Sequence, residues 1–157
     1  PAAANCQLIG VYAPELTEMF ARALQLLGAR RAFVVHGHDG LDEITVCDKT
    51  RVSELKDGLV RTYDIHPERY FERTAEPGAL AGGDKEANAA ITLNIFKGEK
   101  GPRRDVILIN AGMALVAAGK ADTPEGGIAL AAKAIDSGAA LDKLNALVQY
   151  TQGNGKK

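Results

Sequence analysis

The sequence predicts an α/β fold in which helices flank a sheet. Three observations lead to this prediction: an amphipathic helix is followed at once by an apolar strand, a pair of strands comes next, and the second half of the chain has helical periodicity. With 157 residues, 46% of them hydrophobic, the chain is large enough to bury a core. We predict one α/β domain over residues 1–150 and a frayed tail over residues 151–157.

The first predicted helix covers residues 14–28. Its apolar residues recur at steps of three and four, with a proline in the first turn and a glycine after the last. These residues are Leu16, Met19, Phe20, Ala23, Leu24 and Leu27. The stretch RRAFVVHG follows directly, and its β-branched and aromatic residues are typical of a buried strand.

A β-hairpin is predicted from the segment TRVSELKDGLVRTYDI. Apolar residues alternate on both sides of Asp57-Gly58, a dipeptide that favours a tight turn. The next stretch, HPERYFERTAEPGALAGG, carries two prolines and three glycines and predicts an irregular connection. Asp84 then occupies the N-cap position of a helix that should end near Gly98.

The rest of the chain predicts three further helices. VILINAGMALVAAG is apolar nearly all round, so we expect a helix buried on most sides. TPEGGIALAAKAIDSG has proline near its start and glycine after its end. AALDKLNALVQY places four apolar residues on one face: Leu141, Leu144, Leu147 and Val148.

Charge and composition exclude several classes of partner. A net charge of -1 offers no basic stripe for nucleic acid or for an anionic membrane surface. The apolar runs are shorter than the roughly 20 residues that a membrane-spanning helix needs. Cys6 and Cys47 match neither a disulfide framework nor a zinc pattern, which favours a reducing cytoplasm. We therefore expect no nucleic-acid partner and no membrane partner.

The first residues, PAAANCQLIG, suggest a fragment. They lack an initiator methionine and begin on a proline typical of a loop, so we interpret the chain as part of a longer protein. A processed or engineered N-terminus is the alternative interpretation.

Asp42 and Glu43, in HGHDGLDEIT, are the candidate metal ligands. Adjacent side chains on a regular strand point to opposite faces, so these two converge only where the backbone turns, and Gly37 and Gly40 allow such a turn. Two carboxylates at the carboxyl end of a parallel strand suit Mg²⁺, which keeps several waters and shares its other positions with substrate phosphates. The alternative is a solvated acidic loop, which the chemistry alone favours because such loops are common.

Other polar stretches are better explained by structure than by chemistry. His36 and His38 lack a third zinc ligand, so a strand-end histidine that is hydrogen-bonded to the backbone or to a substrate is the better interpretation. AGGDKEANA has two glycines before a helix but lacks the spacing of the established phosphate-loop motifs, and Asp84 as a cap would itself occupy the anion position. KGPRRD predicts a solvated link between helices rather than a phosphate patch, and Asp48 beside Cys47 argues against a reactive thiolate.

Several motifs occur together in an order that resembles anthranilate phosphoribosyltransferase. The stretches that carry this resemblance are QLIGVYAPEL, VVHGHDGLDEIT, RVSELKDG, GGDKEANA, GEKGPRRDVILINAGMAL and GKADTPEGGIALAAKAIDSGAALDKL. HGHDGLDEI and GPRRDVILINAG are the specific ones. The resemblance runs over essentially the whole chain and is to the C-terminal α/β portion of that family. It implies a fold like that of the nucleoside phosphorylases and phosphoribosyltransferases, forming an incomplete part of a larger α/β domain.

The resemblance also implies a function. Members of the family transfer the phosphoribosyl group of phosphoribosyl pyrophosphate (PRPP) to the amine of anthranilate in tryptophan biosynthesis, with Mg²⁺ assisting the loss of pyrophosphate. It assigns a metal role to Asp42 and Glu43 and so outweighs the solvated-loop interpretation. The family's glycine-rich phosphate loop, its lysine-histidine-glycine-asparagine stretch and its helical anthranilate-binding and dimerising region all lie upstream of this chain. The resemblance thus implies a homodimeric full-length enzyme of which this chain alone is inactive.

Two alternatives remain open at the level of sequence. One is a related phosphoribosyltransferase or nucleoside phosphorylase with another acceptor, because the residues that select the acceptor lie upstream. The other is a non-catalytic binding or assembly module with the same fold. The adjacent pair Asp42 and Glu43 argues against that module, since a protein without a metal has no chemical need for it.

Overall fold

The computed structural model describes residues 4–154 and shows the α/β fold. Its elements are β1 (Cys6–Gly10), α1 (Glu15–Leu26), β2 (Arg31–Gly37), β3 (Thr50–Lys56), β4 (Leu59–Ile65), a 3₁₀ turn (Pro67–Arg69), α2 (Lys85–Phe96), α3 (Pro102–Ala117), α4 (Pro124–Asp136) and α5 (Ala139–Asn154). Every helix predicted from the periodicity is present, and so are the strand and the hairpin. Within the described residues, no helix is both long enough and apolar enough to cross a membrane.

The four strands form one mixed sheet in the order β1-β2-β3-β4. β1 and β2 are parallel and α1 connects them, whereas β2, β3 and β4 are successively antiparallel. The turn at Asp57 and Gly58 has positive φ angles of 51° and 73°, as a tight hairpin turn requires. β1 was not predicted from the sequence. It has only five residues, and it pairs with β2 alone among the residues described.

Helices cover both faces of this sheet. On one face, Leu55 packs with Ala21 and Leu24 of α1. On the other, Val52 packs with residues of α3 that include Ile109. Val52 and Leu55 are three residues apart in the same strand and therefore point to opposite faces. Apolar and polar residues alternate imperfectly in the hairpin sequence because helices cover both faces of the strand, so apolar residues are needed on both.

α3 is the central helix of the second layer. It packs against β1 and β2 on one side and against α4 on the other, in agreement with the apolar stretch VILINAGMALVAAG, which begins one turn into the helix. Gly112 of α3 meets Gly127 of α4, where a Cβ added to Gly127 would lie 2.3 Å from the Gly112 carbonyl oxygen. The two backbones can come this close only because neither residue has a side chain.

The C-terminal helix differs from its prediction in two respects. Leu147 and Val148 are 57% and 42% exposed, so only the first part of the predicted apolar face, at Leu141 and Leu144, is partly covered. The helix also continues through Asn154, so residues 151–154 are helical where the sequence predicted fraying. The remainder of the predicted tail, residues 155–157, lies outside the described part of the chain.

Candidate functional site

The acidic pair lies where β1 and β2 end. The loop that carries Asp42 and Glu43 follows β2 and folds over the last residue of β1, Gly10. A Cβ added to Gly10 would lie only 1.5 Å from the Asp42 carbonyl oxygen, so the loop backbone packs directly on this glycine. Both carboxylates are therefore found at the carboxyl edge of two parallel strands, the edge at which open α/β sheets bind ligands.

Hydrogen bonds hold the loop over residues 38–49 in shape. The His38 N–H donates to the Lys49 carbonyl oxygen at 3.0 Å, which closes the base of the loop. Inside the loop, the Thr45 hydroxyl donates to the Asp39 carboxylate at 2.6 Å. Asp39 is thus hydrogen-bonded within the loop, whereas the exposed carboxylates of Asp42 and Glu43 form no hydrogen bond or ion pair within residues 4–154.

Asn110 of α3 fixes the loop from the other side. Its side-chain Oδ1 accepts from the Ile44 N–H at 3.0 Å, and its Nδ2 donates to the Ile44 carbonyl oxygen at 2.8 Å. The same Nδ2 lies 2.9 Å from the Val106 carbonyl oxygen one turn earlier in the helix. Reasoning from the sequence did not identify Asn110 as a site residue. The signal that could have identified it is a single carboxamide within the apolar stretch VILINAGMALVA.

The pair presents two exposed carboxylates and no third acidic, His or Cys ligand within residues 4–154. Both residues are exposed, and none of the ion pairs formed by residues 4–154 uses either carboxylate. No group of three or more His, Cys, Asp or Glu side chains in the described residues is arranged to hold a metal ion. Two hard oxygen donors with no third protein ligand fit Mg²⁺, which usually retains waters and takes substrate oxygens. They do not fit a closed structural metal site.

The two histidines have separate structural roles. His36 is buried at the end of β2, and its Nδ1 lies 2.9 Å from the Val11 carbonyl oxygen. The interpretation as a strand-end histidine bonded to the backbone is confirmed for this residue. His38 is exposed, and its Nε2 lies 3.8 Å from an Asp64 carboxylate oxygen.

Asp64 of β4 ties the base of the loop to the hairpin. Its carboxylate accepts from the Arg51 Nε at 2.6 Å and from the Lys49 Nζ at 3.2 Å. Burial alone would raise the pKa of Asp64, but the hydrogen bonds from Arg51 and Lys49 outweigh it and hold this pKa below its ordinary value. Lys49 is thus oriented toward the hairpin.

The GGDK turn is held by its own side chains. Asp84 caps α2 by accepting from the Ala87 N–H at 2.8 Å, as predicted. Asn88 accepts from the Gly83 N–H at 2.9 Å and donates to the Gly83 carbonyl oxygen at 3.0 Å. The structural interpretation of this stretch is confirmed, because the capping carboxylate occupies the position that an anion would take.

The interpretation of KGPRRD as a solvated link is wrong. α3 begins at Pro102, so both arginines belong to its first turn. Arg104 is 3% exposed and binds the Asp136 carboxylate of α4 at 2.8 Å, an interaction that lowers the pKa of Asp136. Arg103 donates to the Ala81 carbonyl oxygen at 2.6 Å. The two guanidinium groups fasten α3 to α4 and to the loop before α2.

Cys47 should react slowly with alkylating agents. Burial and the nearby Asp39 carboxylate both raise the pKa of the Cys47 thiol above its ordinary value, against a smaller opposing effect of the Thr45 hydroxyl. In a Cys6→Ser background, the rate of reaction with iodoacetamide should reach half its maximum at a higher pH in the folded chain than in urea. Equal midpoints in the two conditions would contradict the expected environment of Cys47.

Comparison with known proteins identifies the family. Residues 1–141 match the model of the glycosyl transferase family, a/b domain. The chain belongs to this family. Among curated relatives of this a/b domain, the anthranilate phosphoribosyltransferase of Desulfosudis oleivorans is 65% identical over 156 residues, and that of Desulfatibacillum aliphaticivorans is 62% identical over 155. Each alignment covers 99% of the chain but 46% of the relative, so the chain spans about half the length of these proteins.

Solved structures agree with this assignment. The crystal structure of anthranilate phosphoribosyltransferase from Thermus thermophilus superimposes with a TM-score of 0.81 at 39% identity, over 91% of this chain and 42% of that one. The enzyme from Saccharomyces cerevisiae in complex with PRPP and Mg gives a TM-score of 0.76 at 28% identity, over 89% of this chain and 41% of that one. The resemblance predicted from HGHDGLDEI and GPRRDVILINAG is thereby confirmed for this glycosyl transferase a/b domain.

Proposed function

We propose that this chain is the C-terminal α/β part of an anthranilate phosphoribosyltransferase and supplies the acidic half of its active site. The full enzyme would transfer phosphoribosyl from PRPP to the anthranilate amine in tryptophan biosynthesis. The observation that carries the proposal is the pair Asp42 and Glu43, exposed and outside any ion pair in residues 4–154, on a loop fixed at the carboxyl edge of β1 and β2. The relatives named above, 65% and 62% identical, support the reaction class.

In this proposal Asp42 and Glu43 would hold Mg²⁺, which would assist the departure of pyrophosphate from PRPP. The metal, when bound, supplies positive charge to a pyrophosphate leaving group as negative charge develops on it. The chain's own contribution is to bind the metal ion and to hold the two carboxylates in a fixed orientation. Two carboxylates project from a backbone that Gly10 and Asn110 fix on either side, so little reorganisation is needed when the charged substrate arrives. No nucleophilic side chain of this chain is required.

Other parts of the proposal concern the longer protein. The phosphate loop and the anthranilate-binding region would lie upstream, so the 157 residues alone should be inactive. We also propose that the full-length enzyme is a cytoplasmic homodimer. The free thiols of Cys6 and Cys47 support a reducing compartment.

A hybrid enzyme tests this function. In the hybrid, this chain replaces the region of the Desulfosudis oleivorans enzyme that it matches. We expect phosphoribosyl transfer to anthranilate with kcat/KM within about tenfold of the intact relative, a difference of ~1.4 kcal/mol in the barrier. The isolated chain should show none. A folded but inactive hybrid would favour the non-catalytic module, and activity of the isolated chain would show that the phosphate-binding residues were wrongly placed upstream.

The acceptor needs its own measurement. In this proposal the upstream residues select the acceptor. The hybrid takes those residues from the relative, so it tests only the part of the active site that this chain contributes. The parent full-length protein, assayed with anthranilate and with purine and pyrimidine bases, tests the acceptor itself. Transfer to a base instead of anthranilate would support the related phosphoribosyltransferase or nucleoside phosphorylase.

A further inference from the structure

We propose that Asn110 is a positioning residue for the acidic pair. The inference rests on the proposed function, because it assumes that Asp42 and Glu43 bind Mg²⁺. It adds a residue that lies 66 positions beyond Ile44 in the chain and touches no substrate in this proposal. Asn110 would act only through the backbone of the loop.

The contact between Asn110 and the loop is bidentate. One carboxamide satisfies both the N–H and the C=O of Ile44, at 3.0 and 2.8 Å. The Ile44 side chain is 1% exposed, so the residue next to Glu43 is anchored by its side chain and by both backbone groups. Loss of the carboxamide would leave two polar backbone groups without their partner, and the loop would have to move to solvate them.

α3 provides a rigid base for this contact. Ile109 and Met113 are each 1% exposed and pack into the core beneath the sheet. Asn110 is therefore held in position by its neighbours in the helix. The contact transmits the position of a packed helix directly to the loop.

The acidic pair lies between two fixed points. On one side, the carbonyl group of Asp42 packs on Gly10, and on the other, the backbone of Ile44 is bound by Asn110. Glu43 is the single residue between them. This arrangement restricts the directions in which the two carboxylates can point. On a loop without such contacts, two adjacent side chains would not be restricted in this way.

Groups that orient metal ligands have measurable effects on metal affinity. Removal of such an outer partner typically weakens metal binding by about 10- to 100-fold. We expect an effect of this size from Asn110→Leu, which keeps a similar volume but makes neither hydrogen bond. Asn110→Ala is the second variant, to be used if Asn110→Leu does not fold. The smaller alanine side chain lets water solvate the backbone groups of Ile44.

The test uses the hybrid enzyme and three measurements. The first is the Mg²⁺ concentration that gives half the maximal rate, which should rise by about tenfold or more. The second is calorimetric binding of Mg²⁺ with inorganic pyrophosphate, which should weaken by a similar factor. The third is hydrogen exchange of the Ile44 amide without any ligand, which should become faster. Asn88→Ala is the matched control, since Asn88 binds both backbone groups of Gly83 in the same way but away from the pair.

A double-mutant comparison separates positioning from general stability. In an Asp42→Asn, Glu43→Gln background, Asn110→Leu should change the Mg²⁺ dependence no further, because the groups it orients are already gone. If the Mg²⁺ requirement of Asn110→Leu stayed within twofold of that of the unsubstituted hybrid, or shifted no more than that of Asn88→Ala, Asn110 would not be a positioning residue. The metal assignment of the acidic pair would not be affected by that result. If the Asp42→Asn, Glu43→Gln hybrid itself kept its normal Mg²⁺ dependence, the metal assignment would be wrong, and the inference with it.

Discussion

Asp42→Asn or Glu43→Gln in the hybrid enzyme should lower kcat/KM for PRPP by about 10²–10³, the usual effect of removing one electrostatic group that acts on developing charge. Each change keeps the size of the side chain and removes its negative charge. Saturating Mg²⁺ should recover part of the lost rate, because one carboxylate remains to bind the metal. KM for anthranilate should stay close to that of the unsubstituted hybrid, since its binding region would lie upstream.

The stability of these variants provides the control. Both side chains are exposed and take part in no ion pair within residues 4–154, so the free energy of unfolding should change by less than about 0.5 kcal/mol. Glu99→Gln, which neutralises an exposed carboxylate after α2, is the matched variant for activity and should leave the rate unchanged. Normal rates and Mg²⁺ dependence in both Asp42→Asn and Glu43→Gln would remove the acidic pair from the mechanism.

Gly127→Ala should destabilise the chain by about 1–3 kcal/mol or more, the range found for overpacked interiors. The added Cβ would lie 2.3 Å from the Gly112 carbonyl oxygen, a backbone atom that moves only if α3 and α4 separate. Because α3 also carries Asn110, separation of these helices should weaken Mg²⁺ binding as well. The midpoint of thermal unfolding of the hybrid, compared with that of the unsubstituted protein, measures the effect.

The neighbouring glycine provides a control with the opposite sign. A Cβ added to Gly126 would come no closer than 3.5 Å, to the Thr123 hydroxyl, and the residue is helical. Gly126→Ala should therefore stabilise the protein by about 0.5–1 kcal/mol, because alanine loses less backbone entropy in a helix. Similar effects of the two substitutions would contradict the close crossing of α3 and α4.

Local patterns in the sequence predicted most of the secondary structure. α1, β2, the hairpin and the cap at Asp84 each depend on residues a few positions apart, which is the range over which periodicity and turn chemistry act. β1 was missed because it is short and because its stability comes from pairing with β2, on the far side of α1. Leu147 shows the same limit, since periodicity defines a face of α5 but not whether another element covers it.

The candidate site was predicted only in part for a similar reason. Asp42 and Glu43 are adjacent, so the sequence shows them together and the resemblance assigns them a role that remains a prediction. Asn110 and Gly10 approach the same loop from elements far away in the chain. Arg104 likewise pairs with Asp136 of α4, which is why a charged stretch was taken for a solvated link. Contacts between distant segments depend on the packing of whole helices.

The contact between Ile44 and Asn110 also has a consequence for the folding and transplantation of the site. Ile44 and Asn110 are separated in the sequence by the hairpin and α2. A nascent or truncated chain that stops before α3 would therefore contain both acidic residues but lack the contact that fixes the conformation of their loop. The conformation of the acidic loop would form late in folding, after α3 packs on the sheet. Local unfolding of α3 would disrupt this conformation while the strands stay paired. A designer who moves this loop to another scaffold must transfer everything from β1 through α3, because the ten residues that contain both acids do not specify how they point.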